Sequence, residues 1–436
     1  MSFLEDRRYS QEAIDYQFDN SFFHKLAKAI GKARELNSRE LTSLAPEVNA
    51  IGELITDFLG IKVECKIYPA KYQNAWVKMP DFNRNHPFYE IWQNVATSKD
   101  GLQALKGKDY DIGNVNRKTG KITGVYAKIA CPITFTKGLM EAKMFTSEEI
   151  AAIALHEIGH IYSLFETMYR TSATNLAIAS AIEDCVGVKD TNVRVKVIKG
   201  LIEQGHVGTE TNPEALAQLD DDSLPVAVIT AGFRKIGHDE NAVCYNRTAW
   251  EQSADQFAVR MGAGIHLASG LNKLLPTLSE AKHIFIKNTL VLLAMRILLT
   301  LNGALLLING PAFMILYLLF VDLVFITGPG ILEATHNTYD RYKDRISRIR
   351  REQIGKLKML DKDDPLVEDV LAQIDEMKKI EDENSNLYSN AFVYLYAFIY
   401  NLFTGQLDKK AQQQAVEKLL NNELYVHAAR LKQKGK

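Results

Sequence analysis

The chain has 436 residues, 47% hydrophobic and 24% charged, with a formal net charge of −1. That composition excludes global disorder, and the near-zero charge gives no reason to expect a nucleic-acid partner. The length leaves room for two or three domains. Cys65, Cys131, Cys185 and Cys244 form no CxxC pair and read as reduced thiols facing the cytoplasm. The first twenty residues, MSFLEDRRYSQEAIDYQFDN, carry no apolar core of a secretory signal, so none is expected.

In chain order, residues 1–60 read as an N-terminal helical region, with apolar residues at helical spacing in FFHKLAKAIGKARELN and APEVNAIGELITDFLG. IKVECKIY (61–68) alternates like a strand, and QNAWVKM (73–79) is a second candidate. PDFNRNHPF and KDYDIGNVNRKTGKITG are turn-rich. VYAKIACPITFT (125–136) is rich in β-branched and aromatic residues, and Pro132 within it predicts an edge strand, because proline cannot donate to a ladder. Thr146 and Glu149 then make a T-x-x-E capping box before a helix. Residues 167–245 read as a helical insertion, and AWEQSADQFAVRM as a helix stopped by the glycines at 262–264.

The capped helix carries HEIGH at 156–160. On a helix His156 and His160 share one face, and Glu157 projects beside them, which is the H-E-x-x-H arrangement of a zinc site with a glutamate general base. A short motif in a polar helix also arises by chance. A catalytic zinc needs a third protein ligand and one position left for water. Glu251 is the candidate, with Asp255 one turn later placed to orient a ligating histidine. Spacing alone leaves Glu166 and Asp184 open as ligands, and leaves Glu251 and Asp255 open as a solvated acidic face.

CPITFTKGLMEAKMFTSEEIAAIALHEIGHI resembles the core of the HtpX-like and CAAX-prenyl-protease-like zinc endopeptidases. The family's edge strand and T-x-G-L turn correspond to Ile133, Thr134, Phe135, Thr136, Gly138 and Leu139. Its E-x-x-A-D corresponds to Glu251, Ala254 and Asp255, and its N-A-F strand to Asn74, Ala75 and Trp76. The resemblance covers roughly residues 60–165 and 245–262. It implies a zincin-like core at 61–265 with a small mixed sheet, and with the apolar hairpin and helical C-terminal region read from hydropathy the expected fold class is a predominantly helical α+β fold. It also implies zinc on His156, His160 and Glu251, Asp255 behind them, Glu157 as general base, and a protein or peptide substrate added as a β-strand along Ile133, Thr134 and Phe135. The chain departs from the pattern in its long insertion and in the N-R-K-T-G-K loop. Thr335-His336-Asn337 stands where the family often has T-H-P. His336 is therefore a candidate gate or oxyanion donor, with Tyr245 and Arg345 as alternatives, or else a surface histidine.

Residues 289–331 form two apolar runs divided by Asn309-Gly310-Pro311, inside a segment (283–332) read as a helical hairpin and candidate membrane segment. Arg296 and Asp322 would lie at similar depth and pair. Lysines before the block and arginines after it put both ends, and the zinc domain, on the cytoplasmic face. The alternative is a buried hairpin in a soluble protein. Residues 333–436 read as a helical C-terminal region. A competing function is a catalytically silent or latent peptidase-fold scaffold, such as a phage or membrane assembly would use.

Overall fold

The structure, a computed structural model, describes residues 14–78, 113–232, 247–274, 286–298, 310–320, 342–361 and 363–383, with 426 and 430. It is mostly helical with a small mixed sheet. The chain divides into two compact units, Met1–Ala263 and Gly264–Lys436.

The first unit opens with α1 (Ser21–Arg34) and α2 (Pro46–Leu59), which bury Phe23, Leu26, Ile30, Ile51 and Ile55. α2 ends at Gly60, whose φ of 77° is a left-handed cap that glycine adopts without strain. β1 (Lys62–Tyr68), β2 (Ala75–Val77) and β5 (Ala130–Thr136) form a sheet in the order β1-β5-β2. β1 runs parallel to β5 and β2 antiparallel to it. A small hairpin, β3 (Asn114–Val115) and β4 (Ile122–Thr123), holds the N-R-K-T-G-K turn. The strand expected from 125 starts only at Ala130, because Gly124–Lys128 is a 3-10 turn that buries Tyr126.

The edge assignment of Ile133, Thr134 and Phe135 is corrected by this sheet. β5 is its central strand, paired on both sides, with Ile133 and Phe135 fully buried. Pro132 is tolerated there for a local reason. Its carbonyl accepts from Lys78 N–H at 3.1 Å, so the bond it cannot return lies past the last residue of β2. The outer edge of β1 is covered. Thr56 Oγ1 accepts from Val63 N–H, and Ser43 Oγ from Ile67 N–H, both at 2.9 Å. α2 lies so close that a Cβ on Gly52 would come within 2.8 Å of the Val63 carbonyl oxygen. Among the described residues β2 is thus the open edge.

α3 (Lys137–Glu141) leads into α4 (Ser147–Cys185), the longest described helix at 39 residues. Thr146 and Glu149 make the reciprocal capping box at its start: Thr146 N–H donates to Glu149 Oε2 at 2.8 Å and Glu149 N–H to Thr146 Oγ1 at 3.2 Å. Arg34 braces the entry by donating to the carbonyls of Met140 and Ala142. The far half of α4 carries the insertion. Ile178, Ala181 and Cys185 build a separate core with Ile198 and Leu201 of α5 (Thr191–Glu203), and with Val207, Leu224 and Val228. A short α6 (Pro213–Ala217) also belongs to the insertion.

α7 (Arg247–Ala258) packs along the first half of α4. The stop expected at the glycines is a kink instead: Val259–Ala263 form a π-type turn with Gly262 at φ 92°. Residues 14–17 tie this turn down. Gln17 N–H donates to the Arg260 carbonyl at 2.8 Å. Arg260 Nη1 donates to the Ile14 carbonyl at 3.0 Å, and its guanidinium lies over the Tyr16 ring.

In the second unit, α8 (Gly264–Leu274), α9 (Tyr342–Met359) and α10 (Leu366–Glu383) pack together. α9 and α10 join through Ile354, Leu357, Val370, Leu371 and Ile374 and through an Arg350–Glu381 ion pair at 2.9 Å. Burial pulls the Lys356 ammonium below its ordinary pKa, with Asp369 opposing. Of the apolar block, residues 286–298 and 311–320 are helical and the rest lies outside the described residues. Among the described residues no helix is long and apolar enough to cross a membrane.

Candidate metal centre

The capping box fixes where α4 starts and therefore which side of it faces α7. His156 and His160, one turn apart, share that side, with ring centroids 4.7 Å apart. α7 brings Glu251 and Asp255 to them. Glu251 Oε2 lies 3.2 Å from His156 Nε2, and Glu251 Oε1 lies 3.8 Å from His160 Nε2. Asp255 Oδ1 lies 2.9 Å from His156 Nδ1, within hydrogen-bond reach. All four side chains are buried. His156, Glu157 and His160 also bring donor atoms within 4.8 Å of one another, a group able to hold a metal ion.

The donor chemistry fits a cation. With Asp255 at Nδ1, the His156 Nε2 lone pair faces the Glu251 carboxylate at 3.2 Å. Two electron-rich groups buried face to face repel unless a positive charge sits among them. Ligands bound at about 2.0–2.1 Å around a tetrahedral ion lie roughly 3.3 Å apart, close to the 3.2 and 3.8 Å found here. Glu251 suits the third ligand position better than Glu157, because the Glu157 carboxylate is already engaged. Its Oε2 accepts from Val77 N–H of β2 at 3.0 Å.

A close crossing brings the two helices together. A Cβ on Gly159 would stand 2.8 Å from Ala254 Cα, 2.9 Å from the Ala254 carbonyl oxygen and 2.9 Å from Phe257 Cβ. The glycine of HEIGH and the alanine of EQSAD are thus packing partners across α4 and α7. Trp250 adds a face, stacking on the His160 ring with centroids 5.6 Å apart and planes 10° apart.

Of the sequence candidates, His156, Glu157, His160, Glu251 and Asp255 are brought together. The rival acids are elsewhere: Glu166 accepts from Arg170 Nε at 3.0 Å, and Asp184 is exposed near the end of α4. Ile133, Thr134 and Phe135 lie in the central strand. His336 and Tyr245 lie outside the described residues, and Arg345 is buried on α9 of the second unit. Sequence reasoning missed Val77 as the partner of Glu157. It also missed Gly159 and Trp250; the signal that could have found them is position, one inside the motif and one directly before Glu251. Cys65 and Cys131 of the sheet play no part: burial raises both to about 12, leaving them protonated and unreactive. No protein-family model, no curated protein and no solved structure matches this chain.

Proposed function

We propose that the chain is a zinc-dependent endopeptidase of the HtpX-like type. The observation that carries this reading is the arrival of Glu251, some ninety residues after His160, at both histidine Nε2 atoms, with Asp255 behind His156. His156, His160 and Glu251 would hold the ion, which supplies Lewis acidity toward a water and a scissile carbonyl. Asp255 holds the His156 ring in the orientation that presents Nε2. Glu157 takes the proton of the attacking water on its carboxylate and passes it to the leaving amine. Val77 N–H steadies that carboxylate. The substrate strand is reassigned from β5 to the open edge of β2. There the outward N–H groups are already engaged, Ala75 with Asn74 Oδ1 and Val77 with Glu157 Oε2, so an added strand would donate to the outward carbonyls of Ala75 and Val77.

Metal analysis of the parent beside Glu251→Ala tests this. The parent is expected to retain one zinc per chain through gel filtration, and the variant to lose it. Zinc retained in full by Glu251→Ala would remove Glu251 from the ligand set. Stoichiometric zinc in the parent without phenanthroline-sensitive casein cleavage would favour the silent-scaffold reading.

The apolar block supports a second proposal, attachment to a lipid bilayer at a cytoplasmic face. Residues 290–298 and 311–320 expose Leu290, Val291, Leu293, Ile297, Phe313 and Leu316, each more than 40% accessible. On 311–320 the exposed Phe313, Ile315, Leu316, Leu319 and Phe320 share one broad side of the helix, an apolar face of the kind that lies in hydrocarbon. Lys273, Lys282 and Lys287 precede the block and Arg341 and Arg348 follow it, matching anionic headgroups. The full chain is expected to float with vesicles of phosphatidylglycerol and phosphatidylethanolamine. A variant with Leu290, Leu293, Phe313 and Leu316 changed to serine should stay in the dense fractions. Equal flotation of both would refute the attachment.

A further inference from the structure

His156 has a carboxylate at its second nitrogen to fix its ring, whereas on His160 the structure shows an aromatic plane. The Trp250 indole lies 10° from parallel to the imidazole at a centroid distance of 5.6 Å, within the range of an offset stack. Trp250 directly precedes Glu251 on α7, so one helical turn delivers both the carboxylate that approaches His160 Nε2 and the plane that covers its face. Trp250 is partly exposed while His160 is buried, so the indole forms the more solvent-facing member of the pair. We propose that Trp250 is a positioning residue for the metal centre, acting on His160 as Asp255 acts on His156. This rests on the zinc reading above.

The physical argument has two parts. An imidazole turns about its bond to Cβ, and each turn moves Nε2 away from Glu251 Oε1. A stacked ring of similar orientation resists that turn without a hydrogen bond. The indole also removes water from one face of a ligand, which raises the strength of every charge interaction on the ring. Groups that orient a metal ligand from behind change metal affinity about 10- to 100-fold when removed.

The test compares the full-length parent with Trp250→Leu and Trp250→Phe. Leucine keeps apolar bulk but lacks a plane, and phenylalanine keeps the plane. Three readouts are used: zinc affinity by competition with a chromophoric chelator, the visible spectrum of the cobalt(II)-loaded protein, and melting of the metal-free protein. Trp250→Leu is expected to bind zinc about 10- to 100-fold more weakly with an altered cobalt band. Its metal-free melting should stay near the parent's, and Trp250→Phe should recover the parent's affinity and spectrum. Parent-like affinity and cobalt spectrum in Trp250→Leu would overturn the role of Trp250 and leave the zinc reading intact. Equal weakening in Trp250→Leu and Trp250→Phe would overturn it too, since the plane would then not matter. A parent that takes up no zinc would overturn both readings.

Discussion

Glu157→Gln is expected to keep one zinc per chain and to lower the rate of casein cleavage by about 100- to 10,000-fold. The site makes this substitution unusually clean. Glu157 is held by a bond in which it only accepts, from Val77 N–H to Oε2 at 3.0 Å. A glutamine carbonyl accepts the same bond, so the side chain keeps its place beside the histidines. What it loses is basicity, because an amide does not take a proton from water near neutral pH. The metal should be unaffected, since His156, His160 and Glu251 are untouched. Zinc analysis paired with initial rates checks both halves. Cleavage at the parent's rate would remove Glu157 from the mechanism, and loss of zinc would make it a ligand.

Gly159→Ala is expected to damage the centre without touching a ligand. Alanine is a better helix former than glycine by about 1 kcal/mol, so on α4 alone the change would stabilise. The added methyl, however, would sit 2.8 Å from Ala254 Cα and 2.9 Å from its carbonyl oxygen. Those atoms are backbone, so relief requires α4 and α7 to separate. Overpacking of this kind costs about 1–3 kcal/mol, which exceeds the helix gain. The separation also draws Glu251 from His156 and His160, whose distances of 3.2 and 3.8 Å leave little slack around one ion. The expected result is a lower melting temperature and zinc affinity at least tenfold weaker. An alanine variant matching the parent in both would show that the crossing is looser than described.

The legible parts of this molecule were those written in short-range chemistry. The start of α4 was readable because Thr146 and Glu149 satisfy each other within four residues. His156 and His160 followed from helical geometry, and β1 from its alternation. The sheet order was not readable, because a strand's sequence does not say which of its sides is taken. Pro132 pointed to an edge, yet the donor it lacks falls where β2 has already ended. The third candidate ligand was ambiguous for a related reason. Glu166, Asp184 and Glu251 are chemically alike, and only the crossing of α4 with α7 separates them. That crossing was encoded in Gly159 and Ala254, small residues whose role is visible only once both helices are present. The stop at 262–264 was real as a break, but Gly262 absorbs it in a left-handed turn that the Asn20 side chain fills.

The wide sequence gap between α4 and α7, which bring the histidines and Glu251 together, has a consequence during synthesis. A ribosome adding about 5–20 residues per second spends several seconds or more between His160 and Glu251. Over that interval the nascent chain carries His156, Glu157 and His160 but not yet Glu251. The turn after α7 docks on Ile14 and Gln17, residues made well before either histidine. On the proposed zinc reading, the centre is incomplete while the unfolded chain is still emerging and is assembled only as the first compact unit closes.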